Sequence, residues 1–205
     1  MKIVVPGELI AEKPVRMPDA YVENGKTYSE VVGLFHESEM KLVALEGSYV
    51  PMDEDYVVGV VEEVKFAGCN VDINSPYKSF LSSKDTRFQF DLGEVIFAKV
   101  KGVDEVKNVN LFDARKLTGG EIVEISPVKV PRVIGKKSSM LNMLIDATRS
   151  EIYVGKNGRM WIKGGNSSLA ARAILKIEKE AHMTGLTDRM KVFLESEKEN
   201  GKSQV

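Results

Sequence analysis

The rhythm of hydrophobic and polar residues changes twice along this chain of 205 residues. Up to about residue 52 the apolar stretches are short and broken by turn signals. Residues 4–5, 28–34 and 41–45 read as strands, separated by Pro6-Gly7, Asn24-Gly25 and Glu46-Gly47. From residue 56 the apolar runs lengthen. Residues 56–66 read as a long strand with Gly59 inside it, followed by strands at 69–73, 77–81 and 95–101. In the last of these Val95, Phe97 and Lys99 share one face, and Ile96, Ala98 and Val100 share the other. Val109 and Leu111 add a fifth strand. Past residue 125 the period changes again. Val128 and Val130 suggest a short strand. Met140, Met143, Leu144 and Ala147 recur at helical spacing over 139–148. Residues 151–154 and 160–163 read as strands joined by Gly155-Lys156-Asn157-Gly158, where Asn-Gly is a hairpin signal. A last helix starts at Ser167, with Ala170, Ala173, Ile174, Ile177 and Ala181 on one stripe. The polar residues beyond Leu194 carry no pattern.

These elements predict a multidomain protein, mainly β with an α+β part. Residues 1–52 form a β-rich N-terminal domain ending at Pro51 and the acidic Asp53-Glu54-Asp55. A module of that length has a small core and is expected to pack on a neighbour or partner. Residues 53–124, with five strands and a glycine where a barrel strand must bend, fit a small Greek-key OB barrel. Residues 125–195 form an α+β domain, and 196–205 a flexible tail.

Composition narrows the classes. Hydrophobic residues make up 43% and charged residues 29%, the balance of a soluble globular protein. No apolar run approaches the roughly 20 residues that cross a bilayer, and no secretory leader is legible at the start. A single cysteine, Cys69, excludes an intrachain disulfide and a cysteine cluster, and two histidines exclude a His-rich metal site. A cytoplasmic protein without a cofactor is expected. The net charge of −1 argues against a nucleic-acid partner, but its distribution does not. Residues 53–124 hold 9 basic and 14 acidic side chains, whereas 125–181 hold 11 basic and 4 acidic ones. That asymmetry predicts either a local anion-binding face or an attraction between basic and acidic domains.

The basic segment contains the most informative stretch, Arg132-Val133-Ile134-Gly135-Lys136-Lys137-Ser138-Ser139-Met140. It lies between the short 128–130 strand and the amphipathic helix. Gly135 lets backbone approach a ligand, Lys136 and Lys137 bring charge, and Ser138 or Ser139 can cap the helix. The free N–H groups at the helix start favour a phosphate. A loop that clamps the backbone of about four nucleotides in this way is the working part of a KH domain. Ile134, Met140, Ile152 and Val154 would floor an apolar groove for bases. On the barrel, Lys65, Phe66, Tyr77, Lys78 and Arg87 are the candidate RNA contacts, with Phe66 either a stacking platform or barrel core. Trp161 is expected to pack against the final helix, and His36 and His182 to lie at the surface.

The run VPRVIGKKSSMLNMLIDATRSEIYVGKNGRMWIKG resembles a type I KH domain. The runs VVGVVEEVKFAGCNVDINSPYKSFL and GEVIFAKVKGVDEVKNVNL resemble an S1-type OB domain, and VVPGEL opens a β-rich segment before both. In this order the three resemble the S1–KH cap subunits of the archaeal exosome. The resemblance implies an N-terminal domain that docks on a hexameric ring of RNase PH-like subunits, beside other copies of itself or another cap subunit in a trimeric cap. It also implies barrel and KH domains that guide 3′ ends of single-stranded RNA, A-rich tracts included, into the ring for 3′-to-5′ degradation. The chain departs from the family's Gly-x-x-Gly loop in having Ser138 at the second glycine. An S1–KH factor of translation or transcription is the alternative. An enzyme is not expected: there is no phosphate-binding P-loop, no nucleophile with a supporting base and no metal motif.

Overall fold

Alternating strands closed by tight turns dominate the first 117 residues. The computed structural model describes residues 2–17, 19–183 and 185–202, with the side chains of 198–202 excepted. The chain divides into two units, Met1–Ser48 and Tyr49–Val205.

The first unit holds two small antiparallel sheets. Strands β1 (Lys2–Val4), β5 (Gly33–His36) and β6 (Lys41–Ala44) form one, in the order β1-β5-β6; β2 (Leu9–Ala11), β3 (Ala20–Glu23) and β4 (Lys26–Ser29) form the other, in the order β2-β4-β3. Asn24-Gly25 makes the β3–β4 hairpin that its sequence predicts. The single strand read at 28–34 is instead the end of β4 and the start of β5. The chain turns between them, where the Ser29 hydroxyl donates to the Val31 carbonyl at 2.7 Å. The core is as small as the length requires: Val4, Phe35 and Leu42 are the buried apolar residues, while Ile3, Val5 and Val22 are exposed.

In the second unit, β7 (Tyr56–Lys65), β8 (Gly68–Asp72), β9 (Lys78–Ser82), β10 (Val95–Val103) and β11 (Asn108–Leu117) close a barrel in the order β10-β11-β9-β8-β7. The parallel β9–β11 pair and antiparallel neighbours elsewhere give the five-stranded OB topology. The β10 faces are as the alternation predicts, with Ile96, Ala98 and Val100 inside. Gly59 lies inside β7, packed against β8. A Cβ there would lie 2.4 Å from Val71 Cγ1, so only glycine lets β7 and β8 approach. The barrel's first residues precede the expected boundary: Tyr49 is buried and its hydroxyl donates to the buried Asp55 carboxylate at 2.9 Å. Asp53-Glu54-Asp55 is tied to the barrel as well, with the Glu54 N–H on the Val100 carbonyl at 2.9 Å. Burial, with the nearby carboxylate, pushes the Tyr49 phenol well above its ordinary range.

The KH part begins earlier than the composition shift suggests. Strand β12 (Glu121–Glu124) pairs antiparallel with β14 (Arg159–Lys163), which also pairs with β13 (Glu151–Val154), giving the order β12-β14-β13. The boundary thus falls before residue 121. The strand expected at 128–130 is absent. In its place Pro127–Lys129 forms a 3-10 turn leading into α1 (Val130–Ile134). Pro127 and Pro131 lack the N–H that a ladder needs but suit helix starts. Then come α2 (Ser139–Thr148), α3 (Ser167–Glu180) and α4 (Leu186–Lys202). Asn166 caps α3 by accepting from the Leu169 N–H at 3.0 Å. The flexible tail expected at 196–205 is helix up to Lys202; 203–205 lie outside the described residues. Leu186, Met190 and Leu194 bury one stripe of α4 in the core shared with α2 and α3. The Arg189 guanidinium donates to Glu180 of α3 at 2.7 Å.

Barrel and KH domain are fused through the β13–β14 hairpin. Asn157 is fully buried, and its side-chain oxygen accepts from the Val58 N–H at 3.2 Å. Its amide nitrogen donates to the carbonyls of Val58 at 2.7 Å and Ile73 at 2.9 Å. One side chain thus replaces a strand partner for β7. Beside it the Arg159 guanidinium donates to the Asp72 carboxylate and to Glu124, each at 2.6 Å. Trp161 packs against Val58 and Leu117 of the barrel, not against the last helix. β14 turns its alternate residues Met160 and Ile162 toward the helices, which leaves Trp161 on the opposite face.

Candidate RNA interface

Two surfaces emerge from these elements. The first is the loop between α1 and α2, so the glycine loop connects two helices and not a strand and a helix. Gly135 has φ 73° and ψ 174°, and a Cβ on it would lie 2.8 Å from the Met140 backbone nitrogen. Lys137 (φ 52°) and Ser138 (φ 60°) follow in the left-handed region, turning the chain so that α2 starts at Ser139. Ser138 is the N-cap residue but its side chain makes no cap bond, contrary to the expected capping role. The reason is conformational: the cap geometry needs β-region angles, and Ser138 is left-handed. Lys136, Lys137 and Arg132 are exposed and make no ion pair among the described residues. The Ser138 and Ser139 N–H groups are spent on the Gly135 and Lys136 carbonyls, so it is the unneutralised cations that make this loop anion-attracting. The expected groove floor is mostly core: Met140 and Ile152 are buried, and only Ile134 and Val154 are half-exposed.

The left-handed Ser138 carries a cost that glycine does not, of about 1 kcal/mol. Ser138→Gly is expected to raise the stability of the second unit by about that amount, read as a higher midpoint in thermal unfolding. A lower midpoint would show that the hydroxyl makes a compensating bond in solution.

The second surface is the outer face of β8 and β9, the usual ligand face of OB barrels. A cavity of about 740 Å³ is lined by Lys65, Tyr77, Lys78, Phe80, Asn70 and Asn108 among others. The structure therefore brings Lys65, Tyr77 and Lys78 together. Phe66 is fully exposed at the β7–β8 turn, which rules out its reading as barrel core. Arg87 lies in a separate cavity with Lys84 and Arg115. The Lys107 ammonium sits 5.6 Å from the Tyr77 ring centroid. Carboxylates share the groove: Glu63 holds Lys65 at 3.0 Å and accepts from the Asn70 amide at 2.7 Å. Asp104 accepts the backbone N–H groups of Asn108 and Val106, which hold its carboxyl below the usual range. Such a groove offers stacking faces and amides for bases more than charge for phosphates. Phe80, Asn70 and Asn108 are not among the residues singled out from sequence. Phe80 could have been found by period-2 alternation, because buried Ser79 and Leu81 leave Lys78 and Phe80 on the outer face.

Of the 11 cations in the basic segment, Lys156 and Arg159 are spent on the barrel carboxylates Asp55 and Asp72. The attraction between basic and acidic domains thus accounts for these two cations, and Arg132, Lys136 and Lys137 stay exposed on the loop.

A β-rich N-terminal module ahead of an OB barrel that is fused to a KH domain defines a small class of chains. A family model described as the exosome RNA binding protein RRP4 N-terminal domain matches residues 1–46, and a KH-domain model matches 120–168. The exosome complex component Rrp4 of Pyrococcus furiosus is 42% identical, with 94% of this chain and 82% of that protein covered. That of Picrophilus torridus is 41% identical, with 100% of this chain and 97% of that protein covered. A crystal structure of a candidate exosome complex RNA-binding protein, 37% identical, matches with a TM-score of 0.68 over 75% of this chain and 98% of that one. The chain belongs to the Rrp4 family of exosome complex components.

Proposed function

We propose that this chain is a non-catalytic RNA-binding subunit of a cytoplasmic exosome. It caps a ring of RNase PH-like subunits and guides 3′ ends of single-stranded RNA, A-rich tracts included, into it for 3′-to-5′ degradation. The observation that carries this reading is the likeness to exosome components over the whole of this chain, which has an aromatic and cationic groove on its barrel and a cationic loop on its KH domain. The exposed Ile3, Val5 and Val22 around a three-residue core favour the first unit as the element that docks on the ring. Copies of the chain, alone or mixed with another cap subunit in a trimeric cap, raise avidity through effective concentration. The RNA contacts are Arg132, Ile134, Gly135, Lys136, Lys137 and Ser138 in the KH domain, while Met140, which the sequence also offers, is buried and supports the loop from below. On the barrel they are Lys65, Phe66, Tyr77, Lys78 and Arg87. No step of catalysis is assigned to the chain, and a nuclease assay of the purified protein with Mg²⁺ or phosphate is expected to show no turnover.

Affinity capture of the tagged chain with mass spectrometry tests the assignment. Ring subunits at near-equal amounts support it. Ribosomal or polymerase subunits in their place favour the translation or transcription alternative. For the KH loop, Lys136→Glu with Lys137→Glu is expected to weaken single-stranded RNA binding. The dependence of log K on log salt should become shallower by about 1.4, from two lost phosphate contacts at about 0.7 each. The melting temperature should not move, because both side chains are exposed and unpaired.

A further inference from the structure

The barrel's cations are not evenly employed. Among its described residues Lys65, Lys99, Lys101 and Lys116 are each paired with a carboxylate. Lys78, Lys84, Arg87, Lys107 and Arg115 are not. Lys84, Arg87 and Arg115 line one cavity of about 560 Å³ in the long β9–β10 connection and on β11. That is three of the five free cations gathered in one place, on a segment that is otherwise acidic. Asp85 shares the cavity, but Lys101 holds its carboxylate at 2.9 Å. Asp113 alone leaves the cavity cationic.

The local backbone is built to present Arg115. The β10–β11 ladder slips between Phe97 and Lys99, so that β11 carries an extra residue there, and Asp113 takes the left-handed conformation at φ 47°. The bulge resets the in-out alternation: buried Leu111 is followed by buried Ala114, and Arg115 faces outward. Strain held inside a strand, next to a cavity, is a feature of binding sites.

The cavity is also connected. Thr86 and Phe88 line both it and a neighbouring cavity of about 280 Å³, which reaches Phe66 and Lys65. Lys65 in turn lines the groove of Tyr77 and Lys78. The β9–β10 connection is held against the β7–β8 turn by the Ser83 N–H, which donates to the Ala67 carbonyl at 2.9 Å. Stacking faces and cations alternate along this line: Tyr77 and Lys78, then Phe66, then Phe88 with Arg87 and Arg115. Phe88 is half-exposed and Phe66 fully so.

We propose that the three cavities form one track for a single RNA strand around the barrel rim, from the β8–β9 face to a phosphate-binding pocket made by Lys84, Arg87 and Arg115. This rests on the RNA-binding reading above and extends it beyond the usual OB face. Aromatic platforms beside unpaired cations are the combination that holds single strands without regard to sequence. An acidic protein surface would use the cations but not the two exposed rings.

The test uses the full chain and a labelled 16-nucleotide single-stranded RNA, with affinity measured by anisotropy across a salt series. Lys84→Ala/Arg87→Ala/Arg115→Ala is expected to make the log K against log salt slope shallower by about 2, from three lost contacts at about 0.7 each. Phe88→Ala is expected to lower affinity roughly fivefold or more with the slope unchanged. A triple variant that keeps both affinity and slope while the wild type binds overturns the track and leaves the RNA-binding reading standing. If that same variant loses an acidic protein partner in capture experiments, the pocket belongs to that partner and the track is again overturned. A wild-type chain that binds no RNA at all defeats both.

Discussion

Asn157→Ala is expected to uncouple the KH domain from the barrel, lowering the stability of the second unit by about 3–9 kcal/mol. The estimate follows from what the side chain satisfies. Its removal strands one N–H and one carbonyl at Val58 and a second carbonyl at Ile73, and all of these groups belong to residues at most 1% exposed. Each buried group left without a partner costs about 1–3 kcal/mol. A water molecule that enters the space would restore part of this, so the lower end applies if the site floods. Asn157→Asp is expected to be worse than alanine. It keeps the acceptor for the Val58 N–H but turns two donors into a carboxylate aimed at two carbonyls. Two measurements check this: thermal unfolding, which should split from one transition into two, and hydrogen exchange at the Val58 amide, which should lose its protection. A single unshifted transition in both variants would show that Arg159 and Trp161 hold the two domains together without Asn157.

That residue also shows where sequence reading stops. Asn157 belongs to an Asn-Gly pair, and the pair does mark the hairpin between β13 and β14, as its turn chemistry requires. Nothing local says that the same asparagine reaches 99 positions back to take the place of a strand on β7. The strands of the barrel, the helix at 139–148 and the hairpin were legible because each declares itself in a period of two or of 3.6 residues. β12 was not, because its four residues are apolar only at Ile122 and Val123 and its partner lies beyond two helices. The 127–134 segment was misread because Val128 and Val130 imitate alternation while Pro127 and Pro131 start helical turns. α4 was missed because its buried stripe of Leu186, Met190 and Leu194 is diluted by charge on the other faces. The candidate site divides in the same way. Lys136, Lys137 and Tyr77 could be picked by residue type beside a loop or strand. The gathering of Lys84, Arg87 and Arg115 depends on a bulge in β11 that has no signature of its own. The departure at Ser138 was legible as a missing glycine, and the left-handed φ of 60° gives the physical reason why glycine is the usual residue there.

Gly59→Val is expected to prevent the barrel from closing. The cost lies in space and not in backbone angles, since Gly59 is not left-handed. A Cβ at this position would stand 2.4 Å from Val71 Cγ1, 3.2 Å from the Asp72 carbonyl oxygen and 3.3 Å from Ile73 Cγ2. Val71 and Ile73 are themselves buried in the barrel core, so neither has room to retreat. Overpacking by one methyl in a dense core costs about 1–3 kcal/mol, which sets the expectation for Gly59→Ala. Valine adds two further methyl groups beside the Val60–Asp72 pairing that joins β7 to β8. It should exceed 4 kcal/mol, enough to remove the marginal stability of most domains. The effect should spread, because Val58, the preceding residue, carries the Asn157 contacts that seat the KH domain. Circular dichroism with thermal melting should show a graded loss from glycine through alanine to valine, with the valine variant lacking a cooperative transition. An alanine variant as stable as the wild type would mean that β8 can slide outward by about 1 Å without loss, and that the close approach of β7 and β8 at Gly59 is a preference of packing with slack to spare.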